Sequence, residues 1–251
     1  MSTVLAKAVS ILNYIAQTNS PCGVMDISRY LGMPKASTSR LLSALAAHNL
    51  VIKGRTGLYQ MGPGSMLWAT AYKSQKGLSE LCLPYLYEIE RESGESVHLF
   101  AHEDKRLYYL ERIQSQRPVS TQFKLGQQPL FHCTGGGKAI LMALPEDELE
   151  EYLAHPLERK TPRSVVNREE LKNQLREFRS RGYSEENGEH EEGIHCVGVP
   201  VLDSRGYPVG AISIVAASYR FDEEQAAKSG ELLVRVGHEI STKLGRQSSG
   251  K

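Results

Sequence analysis

Apolar residues recur at helical spacing through the first part of the chain, and turn-forming residues separate the runs. The first run predicts a helix over roughly residues 3–17, which the polar stretch 19–23 ends. Gly32 follows a second, short helix, at a point where the turn needs a left-handed backbone. Pro34 then lies at the start of a third helix. The residues that set this periodicity are Val4, Leu5, Ala8, Val9, Leu12, Ile15, Ile27, Tyr30, Leu31, Leu41, Leu42, Leu45 and Ala46.

The second and third helices, joined by a glycine-containing turn, have the pattern of a helix-turn-helix, whose second helix enters the major groove of DNA. Short hydroxyl side chains allow close approach to the duplex, and Lys or Arg reaches phosphates or a guanine edge. Residues 50–52 and 58–61 flank the stretch 53–57, which predicts a small hairpin, or wing, with two cations at its tip. We predict DNA-binding residues on the third helix and the wing: Lys35, Ser37, Thr38, Ser39, Arg40, Lys53 and Arg55. The alternative is a generic three-helix bundle with a hairpin, in which the serines are merely exposed.

The charge distribution supports the DNA-binding interpretation. Residues 1–62 carry six Lys and Arg side chains against one acid, a formal charge of +5, although the whole chain is only +1. The rest of the chain is therefore acidic, at −4. A basic first segment and an acidic remainder indicate a polyanionic partner for residues 1–62 alone.

Composition indicates the cellular compartment of the protein. No apolar run reaches the roughly 18 residues that a membrane-spanning helix needs, and the first residues lack the pattern of a signal peptide. The four cysteines are far apart and form no CxxC pair, which fits free thiols in a reducing cytoplasm better than disulfides or a zinc site. The sequence predicts a cytoplasmic protein without a metal or other cofactor.

After the wing, the pattern predicts a connecting helix and then a domain that mixes helices and strands. Strand pairs with helices before, between and after them indicate an α+β domain around an antiparallel sheet. We place the boundaries at 1–62 for the winged helix-turn-helix, 63–77 for the linker and 78–251 for the second domain. Within these, helices are predicted at 65–76, 78–94, 165–181 and 222–244, and strands at 96–101, 107–110, 196–202 and 209–215.

Two stretches of the second domain invite an enzymatic interpretation. Residues 136–138 look like the end of a phosphate-binding loop, but His132 stands at the first glycine's position and Ala139 replaces the residue that would hold magnesium. Cys196 near His190 or His195 suggests a thiol nucleophile, although adjacent residues of a strand point to opposite faces.

Three stretches carry one family's pattern at the expected spacing: Lys35 with Arg40, Gly126 with residues 134–139, and Gly182, Glu189, Cys196, Val197, Gly198, Val201 and Asp203. On these residues the whole chain resembles the IclR family of bacterial transcription regulators. It departs from the family's pattern at Ala36, Pro129, Glu186 and Leu202.

The resemblance implies a profilin- or GAF-like effector domain, dimers paired through the DNA-binding half, and often tetramers. It also implies an effector pocket between the Gly-rich loop and the Cys-containing strand. The stretch 185–193 is most similar to the branch of the family that governs sugar-acid catabolism. Carried onto this chain, the effector-binding residues are Thr121, Gly135, Gly136, Glu186, Cys196, Ser213 and Val215.

Backbone chemistry supports an anion in such a pocket. Successive N–H groups of residues 134–137, leading into a helix, form a concave anion site. The lack of a side chain at Gly136 is expected to let the anion approach the backbone. Cys196 and Ser213 add weak donors and acceptors for a hydroxyl or keto oxygen, and Glu186 accepts from hydroxyls.

We therefore predict a DNA-binding transcription regulator, a repressor, whose operator binding is controlled by a small carboxylate of a catabolic pathway, such as a sugar acid or keto acid. Its partners would be double-stranded DNA, the effector and further copies of itself, and no membrane. The alternative is an enzyme with a GAF-like core that uses Cys196 as its nucleophile. The basic first part favours the regulator, because an enzyme has no use for it.

Overall fold

The computed structural model describes residues 3–18, 20–117 and 125–248. The chain divides between Lys76 and Gly77 into two compact units, here called the first and the second unit. Each is described by itself.

The first unit contains three short helices, a two-stranded hairpin and a further helix. Thr3 caps the first helix by accepting from the N–H of Ala6 at 3.2 Å, and Gly32, with φ of +59°, forms the turn before the third. The core consists of Ile11, Ile15, Cys22, Ile27, Leu42, Leu45, Val51 and Tyr59. The elements are α1 (Val4–Gln17), α2 (Val24–Tyr30), α3 (Lys35–Ala47), β1 (Val51–Lys53), β2 (Tyr59–Met61) and α4 (Gly64–Lys76).

The second unit is built on a five-stranded antiparallel sheet with the strand order β4-β3-β7-β6-β5. Its strands are β3 (Ser96–Glu103), β4 (Arg106–Ile113), β5 (Ser184–Asn187), β6 (Ile194–Leu202) and β7 (Pro208–Ala217). Its α-helices are α5 (Leu78–Ser93), α6 (Gly135–Ala143), α7 (Glu146–Ala154), α8 (Arg168–Arg181) and α9 (Glu223–Ser248).

Helices cover both faces of this sheet. Gly237 of α9 packs so closely on β6 that a Cβ there would lie 3.0 Å from a methyl carbon of Val199. Gly135 of α6 packs in the same way against Cys196. Because alternate residues of a strand face opposite sides, Cys196 lies on the α6 side of the sheet and Val199 on the α9 side.

The α+β class, the winged helix-turn-helix and the antiparallel sheet of the second unit are confirmed. Asp222 caps α9 by accepting from the N–H of Gln225 at 2.9 Å. Among the described residues, no helix is long and apolar enough to cross a membrane.

The first residues of the acidic stretch 185–192 form the edge strand β5. The strand tolerates its charge because Glu185 binds Arg181 Nη2 and His195 Nε2, each at 2.7 Å. Glu186 points the other way and is buried.

Candidate DNA-binding and effector sites

The outer surface of α3 presents its two predicted cations and both predicted serines. Lys35 and Arg40 are exposed, and Ser37 and Ser39 are half-buried. Ser43, one turn beyond Ser39, is also exposed and donates its hydroxyl to the Ser39 carbonyl at 3.0 Å. We did not predict Ser43, although its helical spacing from Ser39 places it on the same side.

The position of Thr38 contradicts its predicted role as a DNA-binding residue. Its side chain is completely buried, and its hydroxyl donates to the carbonyl oxygen of Pro34 at 3.2 Å. Thr38 precedes Leu42 and Leu45 by one and two helical turns, so it belongs to the face that packs on the core. Its hydroxyl therefore cannot reach a DNA base.

The hairpin places its cations as the wing pattern requires. Lys53 ends β1 and Arg55 lies in the turn, and both are exposed. The turn is closed by the Gly54 N–H, which donates to the Leu58 carbonyl at 2.8 Å. Gly57, with φ of +81°, supplies the left-handed residue. Two cations at the end of a short, fixed hairpin can contact phosphates.

The effector-site prediction centres on the N-terminus of α6, which lies against the sheet. Thr134 caps the helix by accepting from the Gly137 N–H at 3.1 Å. The N–H groups of Gly135 and Gly136 belong to the first turn, where a helix has no acceptors of its own. Such N–H groups, at the positive end of the helix dipole, are suited to bind an anion.

The glycines of this segment also serve close packing. A Cβ on Gly135 would lie 3.0 Å from the Cβ of Cys196, and one on Gly198 would lie 2.6 Å from the Gly135 carbonyl oxygen. A Cβ on Gly136 would lie 2.4 Å from two ring carbons of Phe100. Our expected reason for Gly136, that a side chain would block the anion, is therefore wrong: a side chain there points at Phe100.

The sheet brings four of the predicted effector residues together beneath α6. Glu186, Cys196 and Val215 are direct neighbours on β5, β6 and β7. Ser213 lies two residues before Val215 and so faces the same side. All four are buried. Thr121, the remaining predicted residue, lies outside the described residues.

Three residues on this face were not predicted. His98 and Arg112 are paired across β3 and β4, and His98 is also opposite Ser213. The ring of Tyr109 meets that of His98 edge to face, with the centroids 5.5 Å apart. Burial, and then the charge of Arg112, lowers the pKa of His98 to about 3, so this imidazole is neutral. The alternation along β3 would have identified His98, but pairing with Arg112 depends on a bulge after Leu99.

Glu186 has an unusual electrostatic environment. Burial raises its pKa to about 7, although hydrogen bonds from the Cys196 thiol and the Glu189 N–H act in the opposite direction. The Glu189 N–H lies 2.9 Å from a carboxylate oxygen of Glu186. Near neutral pH this carboxyl can therefore donate as an acid or accept as a carboxylate.

A buried ion pair ties α6 to the segment after β5. Lys138, which is fully buried, is paired with the carboxylate of Glu189. Its ammonium also donates to Gln174 Oε1 at 2.9 Å. The backbone carbonyl of Glu189 accepts from the hydroxyl of Ser164 at 2.7 Å. Because Glu189 also donates to Glu186, this pair links the α6 helix to the predicted site.

The geometry does not support Cys196 as a nucleophile. Burial, and then the charge of Glu186, raises the pKa of the Cys196 thiol well above its usual value. His195 lies on the opposite face of β6, where its Nδ1 donates to the Phe221 carbonyl at 2.8 Å. Burial lowers the pKa of His190 to about 4. Among the described residues, no three His, Cys, Asp or Glu side chains form a metal-binding group.

Two family descriptions match the chain. Residues 4–53 match the IclR helix-turn-helix domain, and residues 70–242 match the bacterial transcriptional regulator IclR C-terminal domain. The first match lies within the first unit, and the second match covers most of the second unit.

Individual proteins are similar over almost the whole chain. The HTH-type transcriptional repressor AllR of Klebsiella pneumoniae is 30% identical over 243 residues, 96% of this chain and 89% of that protein. The IclR structure of Thermotoga maritima is 30% identical with a TM-score of 0.83, covering 96% and 98% of the two chains. An IclR homologue from Microbacterium hydrocarbonoxydans, complexed with 4-hydroxybenzoate, is 24% identical with a TM-score of 0.80, covering 96% and 99%.

Proposed function

Because this chain belongs to the IclR family of transcription regulators, and so is a DNA-binding regulator rather than an enzyme, we propose that it is a repressor released by a small carboxylate. Its AllR relatives are named as repressors. The observation that supports a carboxylate ligand is the N-terminus of α6, which packs directly against Cys196 on the sheet.

In the proposed complex with DNA, α3 enters the major groove and the wing contacts the phosphate backbone. Arg40 and the serines at 37, 39 and 43 share the outer surface of α3, so they approach base edges and phosphates. Lys53 and Arg55 contribute phosphate contacts without sequence preference.

On the effector side, the carboxylate accepts from the N–H groups of Gly135 and Gly136. The positive charge of Arg112, on the same side of the sheet, favours an anion there. The rest of the molecule meets Cys196 and Ser213, and Glu186 accepts from its hydroxyl groups. A relative that is complexed with 4-hydroxybenzoate, which is also a carboxylate, supports this ligand class. A sugar acid of a catabolic pathway is our specific candidate, because Glu186 suits a ligand with several hydroxyl groups.

We further propose that the regulator acts as a homodimer or homotetramer in the cytoplasm. Large apolar side chains are exposed on two helices of the first unit: Val4, Leu5 and Val9 on α1, and Met66, Leu67 and Trp68 on α4. Exposed apolar clusters of this kind favour association.

Calorimetry on the full-length protein tests the ligand class with matched pairs of compounds. D-gluconate is compared with sorbitol, and 2-oxobutanoate with butanone, since each pair differs mainly in the carboxylate. We expect saturable binding of at least one acid and no binding of its neutral partner. Equal affinity for acid and neutral partner, or no binding of either acid, contradicts the proposed effector.

A pair of serine variants tests the location. Ser213→Ala removes a hydroxyl beneath α6, whereas Ser229→Ala removes a similarly buried hydroxyl on α9. We expect the first to weaken acid binding about fivefold, the effect of one lost hydrogen bond. The second should leave the affinity unchanged. Equal effects from the two substitutions would place the ligand elsewhere.

A further inference from the structure

A cavity lies in the second unit near the C-terminal end of α6, the end that is farther from Gly135. It has a volume of about 210 Å³ and is walled by Phe131, Leu141 and Leu144, with the ring of Tyr152 beside them. An engineered apolar cavity of roughly 150 Å³ binds benzene. The space in this protein is therefore sufficient for a substituted six-membered ring.

His102 is the buried polar residue that lines this cavity. It is only 7% exposed, and its ring lies edge to face against Phe131 with the centroids 5.6 Å apart. Its Nδ1 lies 2.7 Å from the carbonyl oxygen of Pro208. Since a carbonyl only accepts, Nδ1 carries a proton, so in the neutral form of the imidazole the lone pair is at Nε2. Among the described residues, no hydrogen-bond partner of Nε2 is found.

The second polar atom in the wall is the Tyr152 hydroxyl, which is 2.6 Å from His132 Nδ1. His132 Nε2 is 2.9 Å from the carbonyl oxygen of Glu158, so it is the protonated nitrogen. Nδ1 then accepts, and Tyr152 donates to it. The phenolic oxygen therefore has only lone pairs to offer to the cavity. His102 Nε2 and the Tyr152 hydroxyl oxygen therefore both offer lone pairs, which fits a ligand that donates.

The charges at the mouth argue against an anion. Among the described lining residues, Lys105 is the permanent cation, and both carboxylate oxygens of Glu151 hold its ammonium at 2.6 and 2.7 Å. Glu148, also at the mouth, accepts from the Tyr207 hydroxyl at 2.8 Å. His155, which also lines the cavity, is the other residue that can carry a positive charge, but the carboxylates of Glu148 and Glu151 oppose an anion there. The apolar walls disfavour any buried charge.

We propose that this cavity is a second ligand site, separate from the carboxylate site, which binds a compact apolar molecule that ends in a neutral hydroxyl group. A phenol is the simplest such molecule: its ring fills the apolar space and its O–H donates to His102 Nε2. The regulator then responds to two chemical classes, an acid at the start of α6 and a neutral hydroxyl compound beyond its end.

Equilibrium dialysis of the full-length protein at pH 8 tests this with phenol, toluene and benzoate. Phenol and toluene have nearly the same shape, but only phenol donates a hydrogen bond. We expect saturable binding of phenol, binding of toluene that is weaker by about fivefold, and no competition by benzoate for the phenol. Lack of saturable phenol binding overturns the proposal, as does equal or tighter binding of toluene.

Three variants locate the binding. Leu144→Trp fills the cavity from its partly buried wall and should abolish phenol binding, whereas the volume-conserving Leu144→Met should retain it. His102→Asn keeps a donor to the Pro208 carbonyl but has no acceptor atom at the position of Nε2, so it should remove the preference for phenol over toluene. Unchanged phenol binding in Leu144→Trp would place the phenol elsewhere and refute the site, and an unchanged preference in His102→Asn would refute the role of Nε2.

Discussion

Substitution of Gly136 by alanine should destabilise the second unit, because the new methyl group would meet the ring of Phe100. The Cβ would lie 2.4 Å from two ring carbons and 3.0 Å from a third. Carbon atoms at rest are about 3.5–4.0 Å apart, so the ring and α6 must separate by about 1 Å. Overpacking of this kind costs about 1–3 kcal/mol.

Gly245→Ala is the matched control for the helical context. Gly245 also lies in a helix, α9, but its Cβ would have only ordinary contacts, the nearest at 3.6 Å. Alanine is favoured over glycine in a helix by up to about 1 kcal/mol. Gly245→Ala should therefore leave the free energy of unfolding unchanged or raise it, in contrast to Gly136→Ala.

Phe100→Leu tests whether the ring of Phe100 is the group that the new methyl group at position 136 meets. The single substitution should lower the free energy of unfolding by about 1–2 kcal/mol, which is less than the loss on full truncation of a buried Phe. In the Gly136→Ala background the smaller leucine also relieves the contact with the new methyl group. The double variant should therefore be more stable, by about 1 kcal/mol or more, than the summed losses of the two single variants predict.

Urea unfolding measures these changes. Far-UV circular dichroism follows both units, and the fluorescence of Trp68, the chain's one tryptophan, follows the first unit. Only the dichroism transition of the second unit should shift. Equal stability of Gly136→Ala and Gly245→Ala, or strict additivity with Phe100→Leu, would refute the packing role of this glycine.

Three further predictions concern DNA binding and the buried carboxyl. Arg40→Ala should weaken operator binding by about 1–3 kcal/mol, whereas Thr38→Val should leave it unchanged in the same gel-shift assay; equal losses would contradict the assigned orientation of α3. Lys53→Ala and Arg55→Ala should each lower the salt dependence of binding by about one unit of slope, and altered base preference would contradict pure phosphate contacts. Burial holds the pKa of Glu186 near 7, so the folded state binds this proton more tightly than the unfolded chain, and stability should fall as pH rises from about 4.5 to 7. Glu186→Gln should reduce this pH dependence of the urea midpoint, and identical profiles for both proteins would contradict it.

The first unit was largely predictable because its determinants are local. Helical spacing, the turn at Gly32 and the polar stretch between β1 and β2 act over a few residues each. Thr38 was misassigned because its chemistry outweighed its position. A hydroxyl residue suggests a DNA contact, but spacing from Leu42 and Leu45 determines that it faces the core.

The second unit was less predictable because its site depends on contacts between distant residues. Lys138 and Glu189 form one buried pair although 51 residues separate them. Gly136 meets Phe100 only after α6 has packed on the sheet. The sequence suggested the anion site at residues 134–137 from backbone chemistry, but it could not show that the same glycines serve packing. The strand β5 was missed because Glu185 depends on partners at Arg181 and His195.

The measurement that tests the central claim most directly is fluorescence anisotropy of the full-length protein on labelled DNA from upstream of its own gene. The acid that binds in calorimetry is titrated against wild type and Ser213→Ala. We predict equal DNA affinity of the two proteins without ligand. The acid should lower the wild-type DNA affinity about tenfold, within the usual range of allosteric coupling, and Ser213→Ala should need a higher acid concentration for the same effect. An acid that leaves wild-type DNA affinity unchanged, or that acts on both proteins at the same concentration, would contradict the account.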